Sequence, residues 1–180
     1  GAAVAVVVGA NATTQLLKQM VLPRPELGWG TSNSLPSGHT TVVTSLVLAA
    51  LLVMPAAGRW LVSLAGAVGV AVTGIGTVVA NWHRPSDVVA GVAVAMTWGC
   101  MALAVISLRG HGRPQGPPRS RPVALTLGVS VAAGVLVFIG VRPDGTAGDL
   151  VVHLVTMGAL ALVSAIAVGT FARMVDVRVA

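Results

Sequence analysis

The chain has 180 residues, of which 55% are hydrophobic and 9% are charged, and its formal net charge is +6. A soluble domain carries about 25% charged residues, so this composition excludes an ordinary soluble protein and indicates an integral membrane protein. The positive charges are dispersed and only 3% of the residues are aromatic, which argues against a nucleic-acid surface built from basic residues and stacking rings.

Apolar stretches follow one another along the chain and predict an all-α fold, a polytopic transmembrane bundle of about six helices. They cover residues 1–17, 40–55, 60–79, 88–108, 122–141 and 150–172. A membrane-spanning helix needs about 20 apolar residues, with a range of about 17 to 25, so the last four stretches are long enough and the first two are short. The second becomes long enough if its helix begins near Ser37.

A linker rich in Gly, Pro and Arg divides these stretches into two groups. It contains four arginines and no acidic residue, so the positive-inside rule places it in the cytoplasm. We therefore predict a transmembrane core over residues 1–108, a cytoplasmic linker over residues 109–121 and a C-terminal transmembrane pair over residues 122–180.

Orientation of the remaining loops follows by alternation. The loops predicted on the outer side of the membrane are residues 18–39, 80–87 and 142–149. Trp82, in the second of these loops, fits an anchor at the membrane interface.

The outer side carries the polar residues that suggest chemistry, and the first group is Pro36-Ser37-Gly38-His39. Free backbone amides and the positive dipole end of a helix start favour an anion there, and Ser37 adds a hydroxyl donor. His39 follows within the first turn, where its ring can face a bound group. Simple capping by Ser37, with His39 as a polar residue at the interface, explains the same segment, so both interpretations stay open.

The second polar group is His83-Arg84-Pro85-Ser86-Asp87. Pro85 fits the first position of a helix and Asp87 its first turn. Asp87 can then accept a hydrogen bond from one imidazole nitrogen of His83, which leaves the other nitrogen as a nucleophile. Helix capping by Asp87 and a metal site are the alternatives, although the sequence offers no compact third ligand group for a metal.

Two cations precede these segments. Lys18 ends the first apolar stretch and Arg24 lies in a Pro-Arg-Pro segment, so both fall on the same outer surface as the two histidines. Together they predict an anion clamp, and phosphoryl transfer depends mainly on positioning and charge neutralisation.

In order and type, these segments resemble the three signature motifs of the type 2 phosphatidic acid phosphatase superfamily, which also contains bacterial acid phosphatases and vanadium haloperoxidases. The resemblance covers residues 18–91 and includes the Val-Val-Ala-Gly that follows Asp87. It implies that His83 is the nucleophile that forms a phosphohistidine, that Asp87 orients it, and that His39 is the general acid for the leaving oxygen. It implies no metal or other cofactor, and phosphate-binding roles for Lys18, Arg24, Ser37 and the Gly38 amide.

The sequence departs from the family pattern in three places. The spacer between the Lys and Arg of the first motif has five residues, where the family usually has six. Gly76 and Thr77 stand where the third motif normally has Ser-Arg, so Arg84 or Arg142 would have to supply the missing positive charge. Membrane members usually have two helices before the one that ends in the Lys motif, and we expect either a preceding piece of the protein or the C-terminal pair to fill those packing positions.

The resemblance implies hydrolysis of a lipid phosphate, and the predicted orientation puts this reaction at the extracytoplasmic face of the membrane, which we expect to be a bacterial plasma membrane. We favour a polyprenyl phosphate or diphosphate as the substrate, because an outward-facing site suits the recycling of lipid carriers. The alternatives are a phosphatidate or phosphatidylglycerol-phosphate phosphatase and a lipid phosphotransferase. Because the third motif lacks its arginine, a non-catalytic protein that binds or transports a lipid phosphate is the alternative from another class. The expected partners are the lipid phosphate and the bilayer, and not a nucleic acid.

Overall fold

The structure is a computed structural model that describes residues 1–22, 34–109 and 147–178. These residues form α-helices and contain no strand, which confirms the all-α prediction. The helices are α1 Ala2–Leu16, α2 Gly38–Val53, α3 Ala56–Val79, α4 Pro85–Leu108 and α5 Ala147–Arg178, and α1 continues into a π-helical turn, Leu17–Val21. The predicted stretch 122–141 and most of the predicted linker lie outside the described residues, so five helices are observed and the count of about six is not confirmed.

Three of the helices are long and apolar enough to cross a membrane, and the first two are shorter. The candidate spans are Ala56–Val79, Pro85–Leu108 and Leu150–Val177. α2 begins directly after Ser37, as expected, but it ends at Val53 after 16 residues. Met54 precedes a proline and takes an extended conformation, because the ring of a following proline disfavours helical geometry. α2 therefore stays just below the shortest spanning length of about 17 residues.

The hydrophobic core lies where all five helices meet, and a second cluster joins α3, α4 and α5. Phe171 of α5 is fully buried in the first cluster. It packs closely on α4 because a Cβ on Gly99 would lie only 2.8 Å from its ring. The C-terminal helix thus shares its core with the helices that carry the motifs, while the division into a core over residues 1–108 and a C-terminal pair stays a prediction.

Polar contacts fix α1 on α2. The hydroxyls of Thr14 and Thr41 lie 3.0 Å apart, and the Asn11 amide donates to the Ser45 hydroxyl at 3.2 Å. Hydrogen bonds between helices in a membrane contribute on average about 0.6 kcal/mol each. These two bonds set the register of α1 against α2, and so they set where Lys18 lies relative to the N-terminus of α2.

A buried ion pair ties α3 to α5 at the opposite end of the bundle. The guanidinium of Arg59, which is 6% exposed, lies 3.0 Å from the Asp176 carboxylate. The Arg59 Nε also donates to the Met54 carbonyl, just past the end of α2, at 2.9 Å. Since α3 begins here and α5 ends here, the two helices run antiparallel. α2 also ends here, so the C-terminus of α3 lies at the same end of the bundle as the N-terminus of α2.

Candidate active site

The first polar segment forms the N-terminus of α2. Ser37 is the N-cap, and its buried hydroxyl oxygen accepts hydrogen bonds from the Thr40 amide at 3.4 Å and the Thr40 hydroxyl at 3.1 Å. Gly38 begins the helix, and the nearest atom to a Cβ built on it would be the side-chain nitrogen of Gln15 at 3.9 Å. The helix start is therefore open beside Gly38, where unsatisfied backbone amides favour an anion.

A turn formed by residues 80–84 brings the second polar segment to the same place. The Thr77 carbonyl accepts hydrogen bonds from the amides of Trp82 at 3.0 Å and His83 at 3.1 Å. Asn81 takes a left-handed conformation with φ 58°, which asparagine adopts more readily than most residues. These constraints fix the path of the chain from the end of α3 into His83.

Asp87 organises the start of α4. The helix begins at Pro85 with Asp87 in its first turn, as predicted. The Asp87 carboxylate is fully buried, and its Oδ2 accepts a hydrogen bond from the Ser34 hydroxyl at 2.6 Å and from the Arg84 backbone amide at 2.9 Å. Asp87 therefore caps α4, and both donors hold its carboxylate in one orientation.

The same carboxylate faces His83. Its Oδ2 lies 3.7 Å from the His83 Nδ1, which is longer than a hydrogen bond. Nδ1 is buried and makes no hydrogen bond within the described part of the chain. Since Nδ1 is the nitrogen next to Asp87, Nε2 is the nitrogen on the other side of the ring, available to a ligand. Hydrogen bonds in active sites are often long without substrate and shorten when it binds.

Two backbone contacts join the histidine segments to each other. The Ser37 amide donates to the Asp87 carbonyl at 2.9 Å. Gly91, one turn further along α4, lies so close to α2 that a Cβ on it would be 2.7 Å from the Ser37 carbonyl oxygen. The Thr41 hydroxyl also donates to the Ser37 carbonyl at 2.9 Å. Only a residue without a side chain permits this approach, so Gly91 sets the distance between the two motifs.

The two imidazoles meet at this junction. The ring centroids of His39 and His83 lie 6.0 Å apart and the rings are arranged edge to face. The His83 side chain is only 7% exposed, whereas His39 is exposed. The His39 ring has a second aromatic neighbour, Trp82, and the two ring centroids lie 5.7 Å apart.

The electrostatic environment of His83 favours its neutral form. Burial lowers the pKa of His83 below its ordinary value, and the positive charge of Lys18 lowers it further, while the Asp87 carboxylate opposes the shift. A lower pKa means that a larger fraction of the imidazole is unprotonated at a given pH. Only the unprotonated ring can act as a nucleophile, so Lys18 and the burial of the ring both favour the reactive form.

A comparison with protein families identifies the chain. The model of the PAP2 superfamily matches residues 2–110. The chain belongs to the PAP2 superfamily. This is the type 2 phosphatidic acid phosphatase superfamily that the motifs resemble, and its match covers the whole set of described site residues. No curated protein and no solved structure matches the chain.

PAP2 membership indicates a phosphatase-type hydrolase that acts on lipid phosphates. The three helices that are long and apolar enough to span a bilayer indicate an integral membrane protein. Among the described residues, no group of three or more His, Cys, Asp or Glu side chains could hold a metal ion.

The departure from the PAP2 pattern in the third motif is visible in the structure. Thr77 is 5% exposed, and its hydroxyl donates to the Gly74 carbonyl at 2.9 Å, so its side chain faces its own helix. Arg84, the N-cap of α4, is half-buried next to His83. The structure thus brings together His39, His83, Asp87, Ser37 and Gly38. Lys18 lies near enough to act electrostatically on His83, and the Arg84 backbone binds Asp87, whereas Arg24 and Arg142 lie outside the described residues.

Three residues at the site were not predicted as functional. Ser34 donates to Asp87, Gly91 permits the helix contact, and Trp82 packs against His39. Gly91 ends the Val-Val-Ala-Gly of the motif, so a signal for it was present in the sequence. No local pattern marks Ser34 or the ring contact of Trp82, because both depend on residues more than 40 positions away.

Proposed function

We propose that this protein hydrolyses a polyprenyl phosphate, a polyprenyl diphosphate or a related lipid phosphate through a phosphohistidine at His83. The observation that supports this most strongly is the approach of the His39 and His83 rings, with centroids 6.0 Å apart, beside the open N-terminus of α2. A nucleophile, an acid and a group of anion-binding amides at one point are what phosphoryl transfer by this route requires.

The reaction has two halves. In the first, Nε2 of neutral His83 attacks phosphorus, an N–P bond forms, and the bond to the leaving oxygen breaks. Protonated His39 gives its proton to that oxygen, so a lipid alcohol leaves from a monophosphate, or a lipid monophosphate from a diphosphate. In the second half, water attacks phosphorus, returns a proton to His39 and breaks the N–P bond, which releases inorganic phosphate.

The other site residues bind and orient in this scheme. Asp87 holds the His83 ring by its Nδ1 side. The groups that would neutralise and hold the phosphate oxygens are Lys18, Arg24, Ser37, the Gly38 amide and Arg84. Each is a charged group or hydrogen-bond donor that acts on a developing negative charge, which is the usual source of catalysis in phosphoryl transfer.

The proposed substrate follows from the proposed orientation. The four arginines in residues 109–121 favour a cytoplasmic linker, which puts the site on the outer face of a bacterial plasma membrane, where polyprenyl carriers are dephosphorylated for reuse. Phosphatidate and phosphatidylglycerol phosphate are the nearest alternative substrates, and transfer of the phosphoryl group to an acceptor other than water uses the same first half-reaction.

Phosphate release by the purified protein tests the proposal. We would offer it polyprenyl phosphate, polyprenyl diphosphate, phosphatidate and phosphatidylglycerol phosphate, each with a chelator present. His83→Ala should abolish release, and His39→Ala should slow it by about 10²- to 10⁴-fold, as expected for loss of a general acid. The loss in His39→Ala should be smaller for p-nitrophenyl phosphate, whose leaving group needs little protonation. Wild-type turnover by His83→Ala would refute the mechanism.

A non-catalytic protein that binds or transports a lipid phosphate is the second candidate. The observation in its favour is that Thr77, where the family has an arginine, turns its hydroxyl to the Gly74 carbonyl and supplies no charge. If Arg84 replaces that arginine, Arg84→Ala should lower kcat/KM by about two orders of magnitude, or about 3 kcal/mol of transition-state stabilisation. Binding of lipid phosphates without any phosphate release, by the wild-type protein, would favour the second candidate.

A further inference from the structure

The backbone of Trp82 is held beside the site although the residue is 58% exposed. Its amide donates to the Thr77 carbonyl at 3.0 Å, as does the amide of His83, and the left-handed Asn81 precedes it. A residue held by a hydrogen-bonded turn on both sides has little freedom to move away. The turn therefore fixes the backbone from which the indole projects, independently of any lipid around it.

The ring contact of Trp82 is with His39. The two ring centroids lie 5.7 Å apart with an interplanar angle of 35°, within the range of about 4.5 to 7 Å in which tilted aromatic rings attract each other. The opposite neighbour of the His39 ring is His83, at 6.0 Å. Among the described residues no hydrogen bond holds the His39 imidazole, and these two rings are the aromatic neighbours that pack beside it.

We propose that Trp82 is a positioning residue, which holds the exposed His39 ring toward the leaving oxygen of the substrate. This inference rests on the proposed function, in which His39 is the general acid. The physical reason is that an exposed histidine near the start of a helix can adopt several side-chain rotamers, and proton transfer requires the ring within hydrogen-bond distance of the leaving oxygen. Packing against the indole removes the rotamers that turn the ring away from His83.

An interfacial anchor is the other role for an exposed tryptophan in such a loop. The two roles predict different results. An anchor acts on the position of the whole site or on lipid binding, so the effect of its loss does not depend on His39. A positioning residue acts only through His39, so its loss matters only where a general acid matters.

The experiment compares Trp82→Ala and Trp82→Phe with wild type on two substrates, decyl phosphate and p-nitrophenyl phosphate. Trp82→Ala should lower kcat/KM for decyl phosphate by about tenfold, a part of the 10²- to 10⁴-fold that general acids contribute, and should leave p-nitrophenyl phosphate within about twofold. Trp82→Phe keeps a ring against His39 and should restore most of the loss. Trp60→Ala, an exposed tryptophan at the opposite end of the bundle, is the matched control and should change neither rate.

A double variant decides whether the effect passes through His39. In the His39→Ala background, Trp82→Ala should cause no further loss on decyl phosphate, because residues that act as one unit are not additive. Equal losses on both substrates, or a tenfold further loss in that background, would overturn the inference. Failure of the proposed function is a separate result, since it would appear as turnover of both substrates by His83→Ala whatever residue stands at position 82.

Discussion

Replacing Gly91 with alanine tests whether the two histidine segments must touch. A Cβ at this position would lie 2.7 Å from the Ser37 carbonyl oxygen and 3.1 Å from the Thr41 hydroxyl. Ordinary contact begins at 3.4 Å, so the N-terminal turns of α4 and α2 must separate by about 0.7 Å. The hydrogen bond from the Ser37 amide to the Asp87 carbonyl crosses the same junction and would lengthen with it.

The expected cost differs between stability and activity. Overpacking of this kind lowers the free energy of unfolding by about 1 to 3 kcal/mol, and the better helix propensity of alanine offsets about 1 kcal/mol of it. Catalysis is more sensitive, because a displacement of about 1 Å in a reacting group can slow a reaction by about 10²-fold. We expect Gly91→Ala to remain folded while kcat/KM for phosphate release falls by about 10- to 100-fold.

The matched control is Gly158→Ala in α5, where nothing lies within 4 Å of an added Cβ. Phosphate release and thermal unfolding in detergent would be measured for both variants and the wild type. Gly158→Ala should keep its activity and be slightly more stable. If Gly91→Ala is as active as the wild type, the contact between α2 and α4 does not position the histidines and the reasoning fails.

Two further predictions concern pH and orientation. Lys18 lowers the pKa of His83 and Asp87 raises it, so Lys18→Met should move the acid limb of the kcat/KM profile to higher pH and Asp87→Asn should move it to lower pH. Titration of the substrate is common to all variants, so shifts of both variants in the same direction would contradict the assignment. In a background without the native cysteine, Ala80→Cys should react with a membrane-impermeant thiol reagent added to intact cells. Ala57→Cys, which is exposed at the opposite end of the bundle, should not react. The reverse labelling would place the site on the cytoplasmic side.

Features set by neighbouring residues could be predicted from the sequence. The cap at Ser37, the helix start at Pro85 and the first-turn position of Asp87 depend on side chains within one turn, and the structure has each of them. The convergence of His39 and His83 could be predicted as well, because both lie at ends of apolar stretches that emerge on one side of the membrane.

Features set by long-range packing could not be predicted from the sequence. The Ser34 hydroxyl reaches Asp87 across 53 positions of sequence, and nothing local to either residue indicates the pairing. The length of α2 was also overestimated, because the apolar stretch continues to residue 55 whereas the helix stops at Val53, ahead of Pro55. The Trp82 side chain fits an interfacial anchor in sequence, and only the fold of its turn brings the ring to His39.

The short length of α2 sets how deep the proposed phosphate site lies relative to the ends of the longer helices. At 16 residues, α2 is about 24 Å long, less than the hydrocarbon thickness of about 30 Å. At the site end α3 continues five residues past Gly74, which packs against Val88 near the start of α4, so the first turn of α4 lies about 8 Å below the tip of α3. We therefore expect a phosphate bound there to lie below the tip of α3, at a depth that suits a headgroup whose lipid stays in the bilayer.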